Sequence, residues 1–234
     1  MTKATPRKSA SRLSPGKRIA DIVAAARLEI AANGYDGTSM LAVAQRAGVV
    51  EGTLYRFFKT KQDLMLRVAE QWLEELLAED FGLGSIRGTW NRLRHLIWRG
   101  LQLMHNEPAI SRFVMFEMRP SAAYRTTRVF QLNRRFTGEV RAVCEEAMQT
   151  GEFRNDVSPA LLRDMIFGCI EHQTWAFLHG EGDFKLDELA DSVTNVIYRG
   201  MAARAAAEDD RVEKVVKRLE KAASLIERGV VTSR

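Results

Sequence analysis

The sequence predicts an all-α protein. Through most of its 234 residues, apolar side chains recur at spacings of three and four, the period of a helix with one buried face. Glycine, proline and helix-capping residues divide these patterns into segments of helical length. No stretch alternates apolar and polar residues convincingly enough to predict a strand. We therefore expect a small group of N-terminal helices followed by a larger helical domain.

The first two helices are delimited by capping residues. We expect the first to begin at Ser14-Pro15, where serine caps and proline occupies the first turn. It should end at Asn33-Gly34, because glycine readily adopts the left-handed conformation of a C-cap. Thr38 or Ser39 can cap a short second helix, and Gly48 should end that helix after about two turns.

Longer helical patterns follow the short ones. Thr60 and Asp63 form a capping pair that should open a helix reaching about residue 80. The turn-rich stretch 81–88 then separates two domains, at 15–62 and 81–234, with the helix to about residue 80 as their connection. In the second domain we expect helices near 90–104, 110–118, 130–147, 159–178 and 187–206, and an amphipathic helix at 208–228.

The charge of +5 is unevenly distributed. Residues 1–62 hold 11 lysines and arginines against 4 acidic residues, whereas the other 172 residues hold 24 against 26. Such a basic segment is typical of a polyanion-binding surface, although a merely solvated basic surface is the alternative. Residues 1–14 lack the apolar centre of a secretory signal, and we interpret them as a disordered basic arm rather than a transit peptide.

The sequence gives little support for a membrane protein, a metal-binding protein or an enzyme. No apolar run reaches the ~18 residues that a membrane span needs. Cys144 and Cys169 lack metal-ligand spacing and are expected to be reduced thiols of a cytoplasmic protein. The sequence contains no nucleophile motif, phosphate-binding loop or metal-protease signature. We therefore expect no cofactor, no metal and no enzymatic activity.

Residues 38–58 carry the strongest functional signal. They predict a helix, a short turn at Gly48 and a second short helix, which is the helix-turn-helix arrangement of DNA-binding proteins. In such a unit the second helix enters the major groove. Leu54 is expected to help fix the two helices together, and Gly52 to let the second helix approach the duplex closely.

The stretch TSMLAVAQRAGVVEGTLYRFFKTKQDL, residues 38–64, resembles the DNA-binding signature of the tetracycline-repressor (TetR) family of bacterial regulators. The resemblance is specific over roughly residues 17–70. Its matching positions are Thr38, Val43-Ala44, Ala47-Gly48-Val49, Gly52-Thr53-Leu54-Tyr55, Phe58, Lys61 and Leu64.

The resemblance implies roles for individual residues. Thr38 would touch a phosphate or cap a helix near one, and Lys61 would bind phosphate. Thr53 and Tyr55 would contact the DNA backbone or base edges. The full set of expected DNA contacts is Thr38, Ser39, Val50, Glu51, Gly52, Thr53, Tyr55, Arg56, Lys59 and Lys61.

Five positions depart from the family pattern. Val50 replaces a frequent Ser or Thr and cannot cap the second helix, a loss of about 1 kcal/mol; it could contact a thymine methyl group instead. Glu51 stands where a cation is frequent, and its carboxylate can accept from cytosine N4. Leu41, Ala42 and Phe57 replace residues that are often polar. These departures affect the operator sequence that we expect.

The resemblance also implies a homodimer, formed mainly by the helices at 159–178 and 187–206. It further implies a small-molecule pocket among the C-terminal helices, whose occupancy changes the spacing of the two DNA-binding heads. The apolar candidates would suit a fatty-acyl or aromatic effector, with Glu117 as a polar group or a paired structural carboxylate. The candidate lining residues are Trp98, Leu101, Phe113, Phe116, Glu117, Phe167, Ile170 and Trp175.

The four histidines, His95, His105, His172 and His179, are interpreted as pocket or dimer-interface residues rather than metal ligands, because no ligand cluster accompanies them. We expect a dimeric repressor that a small-molecule effector releases from a palindromic operator. It would act in the bacterial cytoplasm and associate with the nucleoid when bound. The alternatives are an all-α enzyme and an architectural DNA-binding protein.

Overall fold

The computed structural model of the protein describes residues 14–78 and 81–203, together with 215, 216, 218 and 219. The predicted basic arm therefore lies outside the described residues, apart from Ser14. The predicted helix at 208–228 also lies outside them, except at those four positions, where the backbone is helical.

The described backbone is almost entirely helical, as predicted. Within these ranges the one extended pairing is a single bridge between Phe153 and Ala202. A π-helical turn, Phe113–Met118, and a 3₁₀ turn, Ala122–Thr126, connect α6 to α7. The α-helices are α1 Pro15–Gly37, α2 Met40–Arg46, α3 Glu51–Tyr55, α4 Lys61–Ala78, α5 Thr89–Asn106, α6 Pro108–Arg112, α7 Arg128–Gln149, α8 Pro159–Leu178 and α9 Leu186–Met201.

Side chains cap the N-terminal helices where the sequence indicates. Ser14 Oγ accepts from Lys17 N at 3.4 Å and Ser39 Oγ accepts from Ala42 N at 3.1 Å, which satisfies first-turn N–H groups of α1 and α2. Gly34, at φ 68°, interrupts α1, so the predicted end is a break after which one more helical turn follows.

The capping pair before α4 is reciprocal, as expected. Thr60 N donates to Asp63 Oδ2 at 3.1 Å, and Asp63 N donates to Thr60 Oγ1 at 3.0 Å. Two backbone donors that the helix itself leaves unpaired are thereby satisfied. Further along the chain, Ser158 caps α8 by accepting from Leu161 N at 3.2 Å.

The end of α9 differs from the prediction. We expected a helix to residue 206, but the backbone leaves the helical conformation at Ala202, with ψ 123°. Arg154 N donates to Met201 O and Ala203 N donates to Glu152 O, each at 2.9 Å. Backbone hydrogen bonds to the segment before α8 thus end α9 at this point. The alanine-rich sequence after α9 does not reveal such a long-range pairing.

Buried apolar residues form two clusters. The first joins α1–α4 to α6 and α7 and includes the fully buried Ile22, Leu54 and Leu64. The second fills the space among α5, α7, α8 and α9 around residues such as Leu93 and Ile166. Each such side chain contributes roughly 1.5–3 kcal/mol on burial. The first cluster therefore packs the N-terminal helices firmly against the C-terminal ones.

The π-helical turn changes which residues face inward. Arg119 N donates to Val114 O at 3.0 Å, five residues back, so this turn is wider than an α-helical one. Phe113 and Met118 are buried, whereas Glu117 is exposed. Glu117, one of the predicted pocket residues, is exposed because the wider turn rotates it away from the face that Phe113 and Val114 share.

Candidate DNA-binding surface and effector cavity

The helix-turn-helix forms as predicted. Gly48, at φ +65°, makes the turn between α2 and α3, a conformation that other residues rarely adopt. Gly48 N donates to Gln45 O at 3.1 Å and Val49 N to Ala44 O at 3.0 Å, which closes the end of α2. Leu54 is fully buried and anchors α3 to the core.

The opposite side of α3 is open. Val50 is 74% exposed and makes no side-chain cap, as its chemistry predicts. A Cβ added to Gly52 would meet nothing within 4 Å, so the backbone there is accessible from outside. Tyr55, Arg56 and Lys59 are exposed as well, whereas Glu51 and Thr53 are half-buried. We call these residues the reading surface, because they are among those predicted to contact DNA.

Thr38 does not belong to that surface. Its side chain is buried, and its hydroxyl donates to Gly34 O at 2.7 Å. The Thr38 hydroxyl proton is therefore used at the end of α1, and the predicted phosphate contact of Thr38 stays a prediction. Its neighbour Ser39 is exposed and caps α2, which leaves its predicted role near a phosphate as a prediction.

Lys61 has a structural role that the sequence did not reveal. Its Nζ donates to Tyr35 O at 3.0 Å and to Thr38 O at 3.1 Å, and it lies 4.3 Å from the centre of the Tyr35 ring. The ammonium group thus satisfies carbonyls at the end of α1, where a cation is favoured. Its predicted phosphate contact stays a prediction, with part of its donor capacity already used.

A buried carboxylate fixes α2 against α1. Glu29 is 6% exposed and accepts from Asn33 Nδ2 at 2.9 Å and from Arg46 Nη2 at 3.3 Å. A charge this deeply buried is tolerated because these donors compensate its lost hydration. Nothing in the local sequence marks Glu29 as buried except its position on the apolar face of α1.

Two contacts join the DNA-binding helices to the C-terminal helices. Arg27 on α1 donates to Glu75 on α4 at 2.6 Å and to Glu107, between α5 and α6, at 2.7 and 2.9 Å. The Tyr35 ring packs on Phe113, with 4.7 Å between ring centres. We call these the arginine contact and the aromatic contact.

A cavity of about 320 Å³ lies next to these contacts, among α4, α5, α6, the π-helical turn, α7 and α8. Most of its wall is apolar, as in ligand pockets generally. The apolar lining residues are Trp72, Leu73, Leu103, Met104, Val114, Met115, Phe130, Phe136, Phe167 and Ile170.

Four arginines also line this cavity. Arg119 is paired with Glu171, and Arg163 with Asp164 at 2.6 Å. Arg134 lies over the Phe130 ring at 5.9 Å, and Arg125 is exposed. The lining thus contains four arginines and two carboxylates, Asp164 and Glu171, so its net charge is positive. The cavity thus combines an apolar interior with a surplus of groups that bind anions.

Neutral polar side chains complete the lining. Ser111 is 2% exposed and Tyr124 8%, and neither hydroxyl has a hydrogen-bond partner of ordinary geometry among the described residues. Burial raises the pKa of Tyr124, although the charge of Arg119 and the amide of Asn133 oppose the shift. Thr137 lines the same wall, and its hydroxyl lies 3.5 Å from Arg134 O.

The structure separates the predicted pocket residues. Of the eight, Phe167 and Ile170 line this cavity. Trp98 and Leu101 pack in the second core cluster. Phe113 and Glu117 line a cleft beside Tyr35, and Phe116 and Trp175 line an outer groove. Helical spacing identified apolar residues but could not tell a cavity wall from packed core.

The structure also describes the two cysteines. Cys144 and Cys169 are free thiols, and burial raises the pKa of Cys144 to about 12. The described part of the chain contains no cluster of three or more potential metal ligands. No helix in the same part is long and apolar enough to cross a membrane.

The fold and site define a DNA-binding regulator: a helix-turn-helix unit is packed on a helical domain with a ligand-sized cavity. Comparison with known proteins identifies the family. Residues 22–68 match the bacterial regulatory proteins of the tetR family, and residues 87–201 match the tetracyclin repressor-like C-terminal domain. The chain therefore belongs to the tetR family of transcriptional regulators, which confirms the resemblance and supports a repressor rather than an enzyme.

Individual relatives agree with this assignment. The fatty acid metabolism regulator protein of Bacillus subtilis is 23% identical over 181 residues, covering 77% of this chain and 93% of the relative. The repressor KstR of Mycolicibacterium smegmatis is 34% identical over 97 residues, covering 41% of this chain and 46% of the relative.

The solved structures show the same fold. FadR from Bacillus subtilis, crystallised in complex with stearoyl-CoA, superposes with a TM-score of 0.64 at 23% identity, covering 77% of this chain and 98% of that one. FadR from Bacillus halodurans superposes with a TM-score of 0.64 at 18% identity, covering 80% and 97% of the two chains.

Proposed function

We propose that this regulator is a homodimeric repressor that leaves a palindromic operator when a long-chain acyl-CoA enters the cavity. The observation that carries the proposal is an apolar cavity whose wall holds four arginines. An acyl chain suits the apolar wall, and the phosphates of CoA suit guanidinium groups, which bind phosphate with two parallel hydrogen bonds.

The position of the cavity supports an effector role. Its wall includes Trp72 and Leu73 of α4, the helix that follows the DNA-binding unit, and Ser111 of α6. A ligand that alters the packing of these helices alters the arginine and aromatic contacts that hold the DNA-binding helices. The matches from Bacillus subtilis lend support: the relative is a fatty acid metabolism regulator, and the FadR structure from that organism is a complex with stearoyl-CoA.

On the DNA side, we propose that the reading surface contacts bases through Val50–Thr53. Tyr55, Arg56, Lys59 and Ser39 would hold the phosphate backbone. This division follows the general rule that phosphate contacts position a protein while base contacts specify the sequence. The protein would act on the bacterial nucleoid, in the cytoplasm.

The test is release of DNA by defined ligands. Genomic binding-site selection would first give the operator, and fluorescence anisotropy would then follow its dissociation as palmitoyl-CoA is added. We expect release by micromolar palmitoyl-CoA, with much weaker effects of CoA alone and of palmitate alone. Equal release by palmitate and by palmitoyl-CoA would contradict the role of the arginines.

A matched pair of variants locates the head group. Arg134 and its neighbour Arg135 are both exposed, but Arg134 lines the cavity and Arg135 does not. Arg134→Ala should weaken palmitoyl-CoA about tenfold, because a charge-assisted hydrogen bond is lost. Arg135→Ala should leave the affinity unchanged. Equal effects of the two variants would show that only general charge matters.

A further inference from the structure

Ser111 and Tyr124 are unusual in the cavity wall because they are buried but unpartnered. Ser111 lies on α6 and Tyr124 in the 3₁₀ turn before α7, so different segments bring them to one cavity. Neither hydroxyl oxygen has a partner of ordinary hydrogen-bond geometry among the residues that the structure describes, although the Asn133 amide lies near that of Tyr124. Buried polar groups in folded proteins are nearly always paired, so two such hydroxyls in one wall call for a specific explanation.

Neighbouring hydroxyls show what normal pairing looks like here. Thr174 is fully buried one helix away, and its hydroxyl donates to Ile170 O at 2.9 Å. Thr194 on α9 is also fully buried and donates to Ala190 O at 2.6 Å. Serine can form the same bond to the preceding turn, but Ser111 does not. Its oxygen therefore keeps its full hydrogen-bonding capacity.

From this arrangement we propose that Ser111 and Tyr124 form a subsite for a neutral oxygen on the buried part of the effector. The oxygen is a thioester carbonyl or a hydroxyl on the carbon chain. The inference rests on the proposed acyl-CoA effector for its main probes, and it adds a recognition element to the apolar wall and the arginines.

The chemistry of the subsite favours a neutral group over a charged one. Its hydroxyls can donate to a carbonyl or exchange hydrogen bonds with an alcohol. Asn133 and Thr137 on α7 add further neutral polar groups to the wall. An ionised carboxylate would need a cation in contact, but Arg119 and Arg163 are paired with acids, and Arg125 and Arg134 are exposed.

Three CoA derivatives with the same head group test the subsite. Palmitoyl-CoA carries a carbonyl oxygen, S-hexadecyl-CoA is a thioether without it, and 3-hydroxypalmitoyl-CoA adds a chain hydroxyl. Isothermal titration calorimetry should show the wild-type protein binding palmitoyl-CoA about five- to tenfold more tightly than the thioether if the carbonyl is the group bound. If the chain hydroxyl is bound, 3-hydroxypalmitoyl-CoA should exceed palmitoyl-CoA by a similar factor.

Ser111→Ala combined with Tyr124→Phe should abolish that preference while leaving thioether affinity unchanged. In the absence of ligand, the double variant should unfold at the same or a higher temperature, since it removes two unpaired buried groups. Thr174→Val is the contrasting control: it breaks a formed hydrogen bond, so it should lower the unfolding temperature without changing ligand preference.

The outcomes separate this inference from the proposed function. If the CoA derivatives bind but the double variant keeps the wild-type preference, the subsite is overturned and the acyl-CoA effector survives. If no CoA derivative binds, the proposal of an acyl-CoA effector is contradicted. The subsite is then tested with 1-decanol, which has no head group. The subsite would then be supported if the double variant binds decanol more weakly than the wild-type protein does. It would be overturned if the wild-type protein does not bind decanol, or if both proteins bind it equally.

Discussion

At the scale of single residues, two lysines that follow α3 have different environments. Lys59 is exposed just after α3, whereas Lys61 is half-buried and holds two carbonyls at the end of α1. The family resemblance gave Lys61 the phosphate contact. The structure adds a role in stability for Lys61, and that difference can be measured.

Lys61→Ala should lower the free energy of unfolding by about 1–2 kcal/mol, because it leaves backbone carbonyls at the end of α1 unpaired. Lys59→Ala should leave stability unchanged but weaken DNA binding on all sequences and lower the salt slope by about one. Urea unfolding and anisotropy at several salt concentrations would check both. Equal unfolding energies for the two variants would contradict the structural role of Lys61.

Glu51 stands in the first turn of α3, where a carboxylate can accept from cytosine N4. Glu51→Gln and Glu51→Lys should therefore change the preferred base at one position of each half-site, as binding-site selection would show. Tyr55→Phe is the control, and it should weaken all sequences about equally. An unchanged operator preference in both Glu51 variants would exclude base reading by this residue.

Side-chain chemistry made part of this surface predictable. Valine cannot cap a helix, so the uncapped start of α3 at Val50 followed from the sequence. The roles of Thr38 and Lys61 did not follow, because Lys61 bonds to Tyr35, 26 residues away in the chain. Such a contact is set by how α1 packs on α4, which local spacing does not encode.

At the scale of helices, α5 connects the C-terminal elements. Trp90 Nε1 donates to Asn195 Oδ1 on α9 at 3.0 Å, and Arg94 Nη2 donates to Asp187 Oδ1 at 2.8 Å.

The starts of three helices were predictable from the sequence because Ser14, Ser39 and Ser158 cap them through local hydrogen bonds. The π-helical turn was not, because its sequence also fits an α-helix.

Helix α5 also gives a pH-dependent contribution to stability. Burial lowers the pKa of His95, and the charges of Arg99 and Arg94 lower it further, against a hydrogen bond that the imidazole donates to the Phe81 backbone, which raises it. The unfolded chain therefore binds more protons in this range, so stability rises with pH. The stabilisation that His95 contributes is fully present above its ordinary pKa of 6.5. It is lost as the pH falls through the lower pKa that His95 has in the folded protein.

His95→Gln should accordingly reduce the loss of thermal stability between pH 7.5 and pH 5. The measurement is the unfolding temperature of the wild-type protein and of the variant at a series of pH values. Parallel curves for the wild-type protein and the His95 variant would contradict the shift.

At the scale of the whole molecule, large apolar side chains remain exposed on α8 and α9. Leu161, Met165 and Trp175 on α8 are each at least 51% exposed, and Val196 on α9 is 72% exposed. Contiguous exposed apolar surface marks an interaction site. Its position on these two helices agrees with the homodimer that we propose.

Val196→Asp should therefore shift the protein toward monomer in light scattering, because the substitution buries a charge in the dimer. The variant should lose affinity for a palindrome far more than for a single half-site. Leu28→Asp is the matched control, since Leu28 is 58% exposed on α1, away from α8 and α9. If both variants became monomeric to the same extent, the effect of Val196→Asp would not locate the dimer interface on α8 and α9.

The arginine and aromatic contacts limit how the DNA-binding helices can move. The apolar cluster that includes Ile22 and Leu54 is a third, extended attachment, so α1–α3 cannot turn freely on the C-terminal helices while all three hold. A displacement of α6 or of the π-helical turn would therefore carry α1–α3 with it as one rigid body.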